Sequence, residues 1–163
     1  MKKTLSLFLA ALFLISSIPA YADFTDINLI KYNVCASVCG APELSPENAR
    51  TSVQDGNVVT LFKSEKMLYG FVCDQSDHIV SVAVYAVDET CTADFICSCM
   101  AMIQLCSSDF DYSVYGSLLM QFSSIRKGNE AQIRKVGDDY FSMQSLDGYQ
   151  YQFVYINKDK ETK

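Results

Sequence analysis

Cysteine is the residue type in this chain whose number and spacing could carry chemistry. There are seven: Cys35, Cys39, Cys73, Cys91, Cys97, Cys99 and Cys106. Four of them fall in the apolar stretch Cys91 to Cys106. In an oxidising compartment such a set is read first as a disulfide framework. Helical geometry restricts the pairings. Cys35 and Cys39 are one turn apart, where Cβ atoms lie ~5 to 6 Å from each other, and a disulfide needs roughly 3.8 Å. Cys99 and Cys106 share a face without meeting any better, and Cys97 and Cys99 diverge by about 200° around the axis. Bridges must therefore join different elements, and the odd number leaves at least one thiol over, available for an intermolecular disulfide. Cys97, Cys91, Cys35 and Cys39 are the candidates for a reactive thiol or a bridge.

A thiol becomes a nucleophile when a base or a positive charge lowers its pKa. The one imidazole in the chain is His78, just beyond the turn that follows Cys73. Across a tight antiparallel turn the two could form a thiolate–imidazolium pair, with Asp74 or Asp77 orienting the ring. Soft metal ligands also cluster: Cys97-Ser98-Cys99-Met100, with Met102 and Cys106, is a donor set that copper(I) favours. On a helix, however, these side chains point in different directions. Paired Cys-x-x-Cys spacings, a His pair and a Cys-x-x-Cys-His haem motif are all missing from the sequence. So are a Gly-x-Ser-x-Gly elbow, a phosphate loop and a dinucleotide fingerprint. No cofactor or metal is expected. Glu43, Glu47, Glu65, Asp138 and Asp139 lie where turns are expected, as solubilising acids do.

The elements that position these residues follow from periodicity. The central stretch is the helix around which the rest is organised, starting near Thr92 or Ala93 and ending at Cys106. At 100° per residue Met102, Phe95, Cys106, Cys99, Ile103, Ile96 and Met100 share a wide apolar arc, which marks a core helix. Cys97, Gln104 and Ala101 fall opposite, so Cys97 is the cysteine least explained by packing. An N-terminal helix spans Asp26 to Cys39, marked by Ile27, Ile30, Val34 and Val38 at helical spacing. Gly40 suits its left-handed end and Pro42 blocks continuation. Cys35 and Cys39 lie beside that stripe, next to Tyr32. Residues 41 to 57 read as a connecting loop. A further amphipathic helix is expected from Asp111 to Ile125.

Strands fill the remainder. Val58 to Phe62, Met67 to Cys73 and Ile79 to Val87 form a three-stranded meander with short polar turns. In the third strand Val80, Val82, Val84 and Ala86 share one face, the one expected to meet the central helix. Gln132 to Val136, Tyr140 to Gln144 and Tyr149 to Ile156 form a second meander of two or three strands. In its last strand Tyr149, Tyr151, Phe153 and Tyr155 share a face, and alternation of this kind marks a half-exposed sheet. Tyr149, Tyr151 and Tyr155 are accordingly candidates for a binding face. The fold class expected is α+β, an N-terminal helix with an antiparallel sheet of two meanders packed against a central helix pair.

Met1-Lys2-Lys3, an apolar run from Leu5 to Ile18 and Ala20-Tyr21-Ala22 have the layout of a cleaved secretory signal peptide over residues 1–22. The apolar run is shorter than the ~20 residues a membrane-spanning helix needs, so stable membrane insertion after cleavage is not expected. The product is read as exported, periplasmic or extracellular. A single domain follows over residues 23–157, then a charged tail at 158–163. The net charge of −6 drops by two further units when Lys2 and Lys3 are removed, and such a surface repels phosphate backbones. Nucleic acid is not an expected partner, and Arg126, Lys127, Arg134 and Lys135 read as a solvated hairpin surface. The function expected is that of a non-enzymatic exported binding or accessory protein for a protein or small-molecule ligand. The alternative is a thiol-dependent enzyme or redox protein using Cys73 with His78, or Cys97.

Overall fold

In the computed structural model the N-terminal helix, α1 (Asp26–Cys39), ends at Gly40, whose φ of 71° lets the chain leave the helix. The structure describes residues 26–87, 89–107, 110–128, 131–136, 139–146 and 150–156. The proposed signal peptide, Tyr149 and the charged tail lie outside the described residues, as do the side chains of Arg126 and Lys127.

After α1 the chain makes a 3₁₀ turn at Pro46–Asn48 and enters β1 (Ala49–Gln54). The stretch 41–57, read from sequence as a loop, thus contains a strand. Asp55 and Gly56, with φ of 49° and 81°, form the tight turn into β2 (Asn57–Lys63), and positive φ at both central residues matches the twist of a hairpin. β1 escapes a search for alternation because it is an edge strand that buries none of its residues fully. The meander continues through β3 (Met67–Cys73) and β4 (Ile79–Ala86), so it has four strands. Val87 falls outside the last of them and is exposed.

Two helices follow, α2 (Thr92–Cys106) and α3 (Tyr112–Gly128), and then a three-stranded meander of β5 (Gln132–Val136), β6 (Asp139–Leu146) and β7 (Gln150–Ile156). The order across the single sheet is β1-β2-β3-β4-β7-β6-β5, and every pairing is antiparallel. β4 and β7 are the strands at which the two meanders meet, with Val82 opposite Tyr155 and Val84 opposite Phe153. The described chain is therefore an α+β domain of three helices and a seven-stranded antiparallel sheet.

Alternation places Met67, Tyr69, Phe71, Val82, Val84 and Ala86 on the same face as Tyr151, Phe153 and Tyr155. That face is buried in one continuous core with Phe95, Cys99, Met102 and Ile103 of α2, Leu118 and Phe122 of α3, and Leu29, Tyr32 and Ala36 of α1. Phe95, Phe122 and Tyr151 pack ring against ring, with centroids 4.9 to 6.2 Å apart. A smaller apolar cluster of Val59, Val72, Ala83 and Val154, with Ile156 beside it, occupies the other face.

The core arc of α2 is as expected for Phe95, Ile96, Cys99, Met102 and Ile103, all buried, whereas Met100 and Cys106 are only partly so. Its opposite side differs from the sequence reading. Ala101 is 0 % exposed and Ser98 is equally buried, because α1 lies against that side. The larger difference is in α1 itself. Ile27, Ile30, Val34 and Val38 point outward, while Asn28, Leu29, Tyr32 and Ala36 are buried.

Candidate functional site

Helix α1 combines an anchored inner face with an exposed aliphatic row. Its inward face is fixed by polar as well as apolar contacts. Tyr32 meets Tyr69 and Phe71 edge to face, with centroids 6.0 and 5.9 Å apart. The Tyr32 hydroxyl donates to the Pro42 carbonyl at 3.2 Å. Asn28 donates to the Asp77 carbonyl at 2.9 Å and lies 3.6 Å from the sulfur of Cys73, so a buried amide finds partners. Asn33 binds Leu44 twice, accepting from its amide at 2.9 Å and donating to its carbonyl at 3.0 Å. Those bonds clamp the segment after α1 along the helix.

With its other side held this way, α1 presents four aliphatic side chains to solvent. Ile27, Ile30, Val34 and Val38 are between 61 and 72 % exposed. Spacings of three and four residues align them in one ridge along a helix about 21 Å long. A shallow groove of about 460 Å³ runs beside it, lined by Ile30, Asn33, Val34, Ser37, Val38 and Glu43. A larger groove, about 650 Å³, lies at the β1–β4 end of the sheet, lined by Glu47, Glu65, Arg50 and Lys63 together with Leu68 and Tyr85. Its opposed charges leave no strong field for a charged ligand.

At the seam between α1 and α2 lie three partly exposed thiols, Cys35, Cys39 and Cys97. Cys39 Sγ donates to Gln104 Oε1 at 3.3 Å. Burial pushes all three thiols above the ordinary cysteine pKa, and Cys39 is raised further by its neighbours Cys35 and Cys97. Cys97 has Asp94 as an additional opposing charge. Burial drives Cys99 well above the ordinary value. The phenols beneath behave alike: burial, then Tyr69, raises Tyr32, and burial pushes Tyr69 up to about 12 against its hydrogen bond with Ser98.

The remaining sequence candidates are dispersed. Cys91 is buried at the start of α2 with its sulfur 3.8 Å from the Lys66 carbonyl. Cys73 is buried beside Asn28. His78 sits outside on the turn, its Nδ1 3.4 Å from Asp74 Oδ2 and its side chain 63 % exposed. Slight desolvation opposes ionisation of Asp74, but the amides of His78 and Ser76 and the adjacent imidazole outweigh it and hold the carboxyl below its ordinary value. This is a capped turn, with the imidazole engaged by Asp74. Tyr151 and Tyr155 are buried under the helices, and the Tyr155 hydroxyl donates to Asp139. Among the described residues, no group of three or more His, Cys, Asp or Glu side chains converges so as to hold a metal ion, and no helix is long and apolar enough to cross a membrane.

No family model matches the chain, and no curated protein or solved structure is detectably similar to it. The outward ridge and the thiol seam therefore stand on their own geometry. Sequence reasoning found the ridge as a helix signal but not as a surface. The competing stripe Leu29, Tyr32, Ala36 has the same periodicity, and buried Asn28 between the two stripes is the residue whose fixed partners decide the rotation.

Proposed function

We propose that this chain is a small exported, non-enzymatic binding or accessory protein that engages a partner protein through the outward face of α1. The observation that carries this reading is the row of Ile27, Ile30, Val34 and Val38, exposed on a helix whose other face is tied down. Isolated surface aliphatics are ordinary, but an aligned ridge of four is an anchor pattern. The partner that fits it is an amphipathic helix, because anchors at spacings of three and four interdigitate with another helix. A stable homodimer through this ridge alone is disfavoured. Four side chains offer a few hundred Å², short of the roughly 800 Å² per partner of a standard interface. The thiol-dependent alternative needs a thiolate near neutral pH, and the raised pKa of Cys35, Cys39 and Cys97 works against it.

Two measurements test the proposal. Intact mass of the protein from the cell envelope should give a chain beginning at Asp23; a full-length, membrane-embedded species as the sole product would rule out the exported form. A photo-crosslinking residue at Val34 should yield a discrete adduct with another protein in the producing cell, lost on Ile30→Asp. Finding only self-adducts, or none, would defeat the partner-binding reading.

A further inference from the structure

The sheet is buried on both faces, and among the described residues only one face carries helices. The core on the helix side draws on α1, α2 and α3, whereas the cluster on the opposite side, Val59, Val72, Ala83 and Val154 with Ile156, is made of strand residues alone. A sheet face left open to water keeps its outward side chains partly exposed. Here Val59, Val72, Ala83 and Val154, with Leu61, Ser81 and Gln152 on the same face, are between 1 and 8 % exposed. Something lies over them. The face has a definite shape. Cross-strand partners line up as Leu61–Gly70–Ala83–Val154 in one row and Val59–Val72–Ser81–Ile156 in the next. Gly70, Ser81 and Ala83 make a low floor on β3 and β4, between walls of Val59 and Leu61 on β2 and of Val154 and Ile156 on β7. Glycine inside a strand marks a place where another element comes close to the backbone, and Gly70 is buried. The result is an apolar trough that runs along β3 and β4.

We infer that this trough is a seat for an apolar helical segment, filled in the uncleaved chain by its own leader, Leu5–Ile18, and vacated when the leader is removed. Three observations single out that occupant. The first is composition. Outside the described residues lie internal runs of one to three residues, the polar tail 157–163 and the segment 1–25, and only the last contains an apolar stretch. Leu5–Ile18 holds no ionisable side chain, so it can be buried without leaving a charge unpaired. The second is length. Its fourteen residues, wound as a helix, measure about 21 Å, and the seven residues of β3 give a floor of about 24 Å. The third is the place where the chain enters the fold. Asn28, in the first turn of α1, donates to the Asp77 carbonyl in the β3–β4 turn, so α1 begins at the rim where the trough opens. The seven residues 19–25 can span up to about 25 Å, enough to round that rim and reach the outer face. Seating the leader does not require the α1 ridge to have a partner. Its removal leaves the shortened chain with an apolar channel one helix wide on the side of the sheet away from that ridge.

The test uses the full, uncleaved chain, purified without detergent, with benzoylphenylalanine placed at Tyr85. Tyr85 is half-buried and lies on the outer face beside the floor, opposite Leu68 and Gln152. Irradiation, digestion and mass mapping should join the Tyr85 peptide to a peptide within Leu5–Ile18 of the same chain, at a yield independent of protein concentration. Leu9→Asp places a charge in the leader and should abolish the adduct. Ala83→Leu raises the floor and should abolish it as well, with near-ultraviolet circular dichroism checking the fold; Leu9→Asp lies outside the sheet and keeps the test decisive should Ala83→Leu misfold. A second readout is an apolar fluorescent dye. The full chain should bind little of it on this face, while the Leu9→Asp chain and a chain beginning at Asp23 should each bind several-fold more. An adduct between two chains would give the trough to a second copy, and an adduct to another strand or helix, or none, would show that the leader does not sit there. Equal dye binding by all three chains would likewise overturn the inference. Failure on any of these counts leaves the α1 ridge standing, and a missing adduct at Val34 leaves the trough standing.

Discussion

Helices α1 and α2 are both apolar for most of their circumference, yet they use that surface in opposite ways. α2 lies between the sheet, α1 and α3, so Phe95, Cys99, Met102 and Ile103 are buried along with Ser98 and Ala101 on other sides of the helix. α1 covers the core from one side only, and it does so with Asn28, Leu29, Tyr32 and Ala36 while its row of four aliphatics faces solvent. Periodicity identifies a helix because it is a property of the segment. Which stripe faces inward is a property of the contacts the segment makes elsewhere. For α1 those contacts are Asn28 with the β3–β4 turn, Tyr32 with Tyr69, Phe71 and Pro42, and Asn33 with Leu44.

The comparison is open to test, and the largest expected effect lies on α2. Phe95→Ala removes a fully buried ring from the Phe95–Phe122–Tyr151 group and should cost about 3–5 kcal/mol in denaturant titrations. A loss below about 1 kcal/mol would mean that α2 is not the centre of the core. The phenols at the joint come next. Tyr69 ionises at about 12 in the folded protein against an ordinary value of 10.0. Its pKa is raised on folding, so its contribution is complete below pH 10 and is lost as pH climbs toward 12, on the order of 2 kcal/mol. Stability should fall over that window, and less steeply in Tyr69→Phe; equal slopes would place the phenol in solvent.

Smaller again is the effect at the seam. Ala101→Leu should destabilise by about 1–3 kcal/mol, because a larger side chain must push α1 away. A neutral outcome would restore the expectation that this side of α2 is free. Smallest of all, Val34→Ser should alter stability by no more than about 0.5 kcal/mol, since Val34 is exposed. A cost near that of Phe95→Ala would turn the ridge inward and remove the basis of the proposed interaction.

Much of this architecture is legible in the sequence for physical reasons that can be named. β2, β3 and β4 are rich in branched and aromatic residues because these central strands bury side chains on both faces, and α2 announces itself by an apolar arc too wide for a surface helix. β1 does not announce itself, since an edge strand with little burial has no need of alternation, although Asp55-Gly56 is the turn signal that reveals it. The tyrosine row of β7 misleads because tyrosine carries a polar tip. Here Tyr155 satisfies that tip on Asp139 and keeps its ring in the core. The thiol seam is illegible for a different reason. Cys35, Cys39 and Cys97 lie near one another only because α1 packs against α2, a fact of packing that no spacing within either helix contains.

The seam where β4 meets β7 also sets the order in which the molecule can be made. Strands β1 to β4 pair with their immediate successors, so that half can zip from one turn to the next. β7 finds β4 only after α2, α3, β5 and β6 have been synthesised. Pairings between distant parts of a chain carry the loop-closure entropy of everything between them and form late. Pulse-labelled hydrogen exchange should therefore protect the amides of β2 and β3 before those of β7, and the reverse order would exclude this route. Until β7 arrives, the flank of β4 stays open and the domain cannot close.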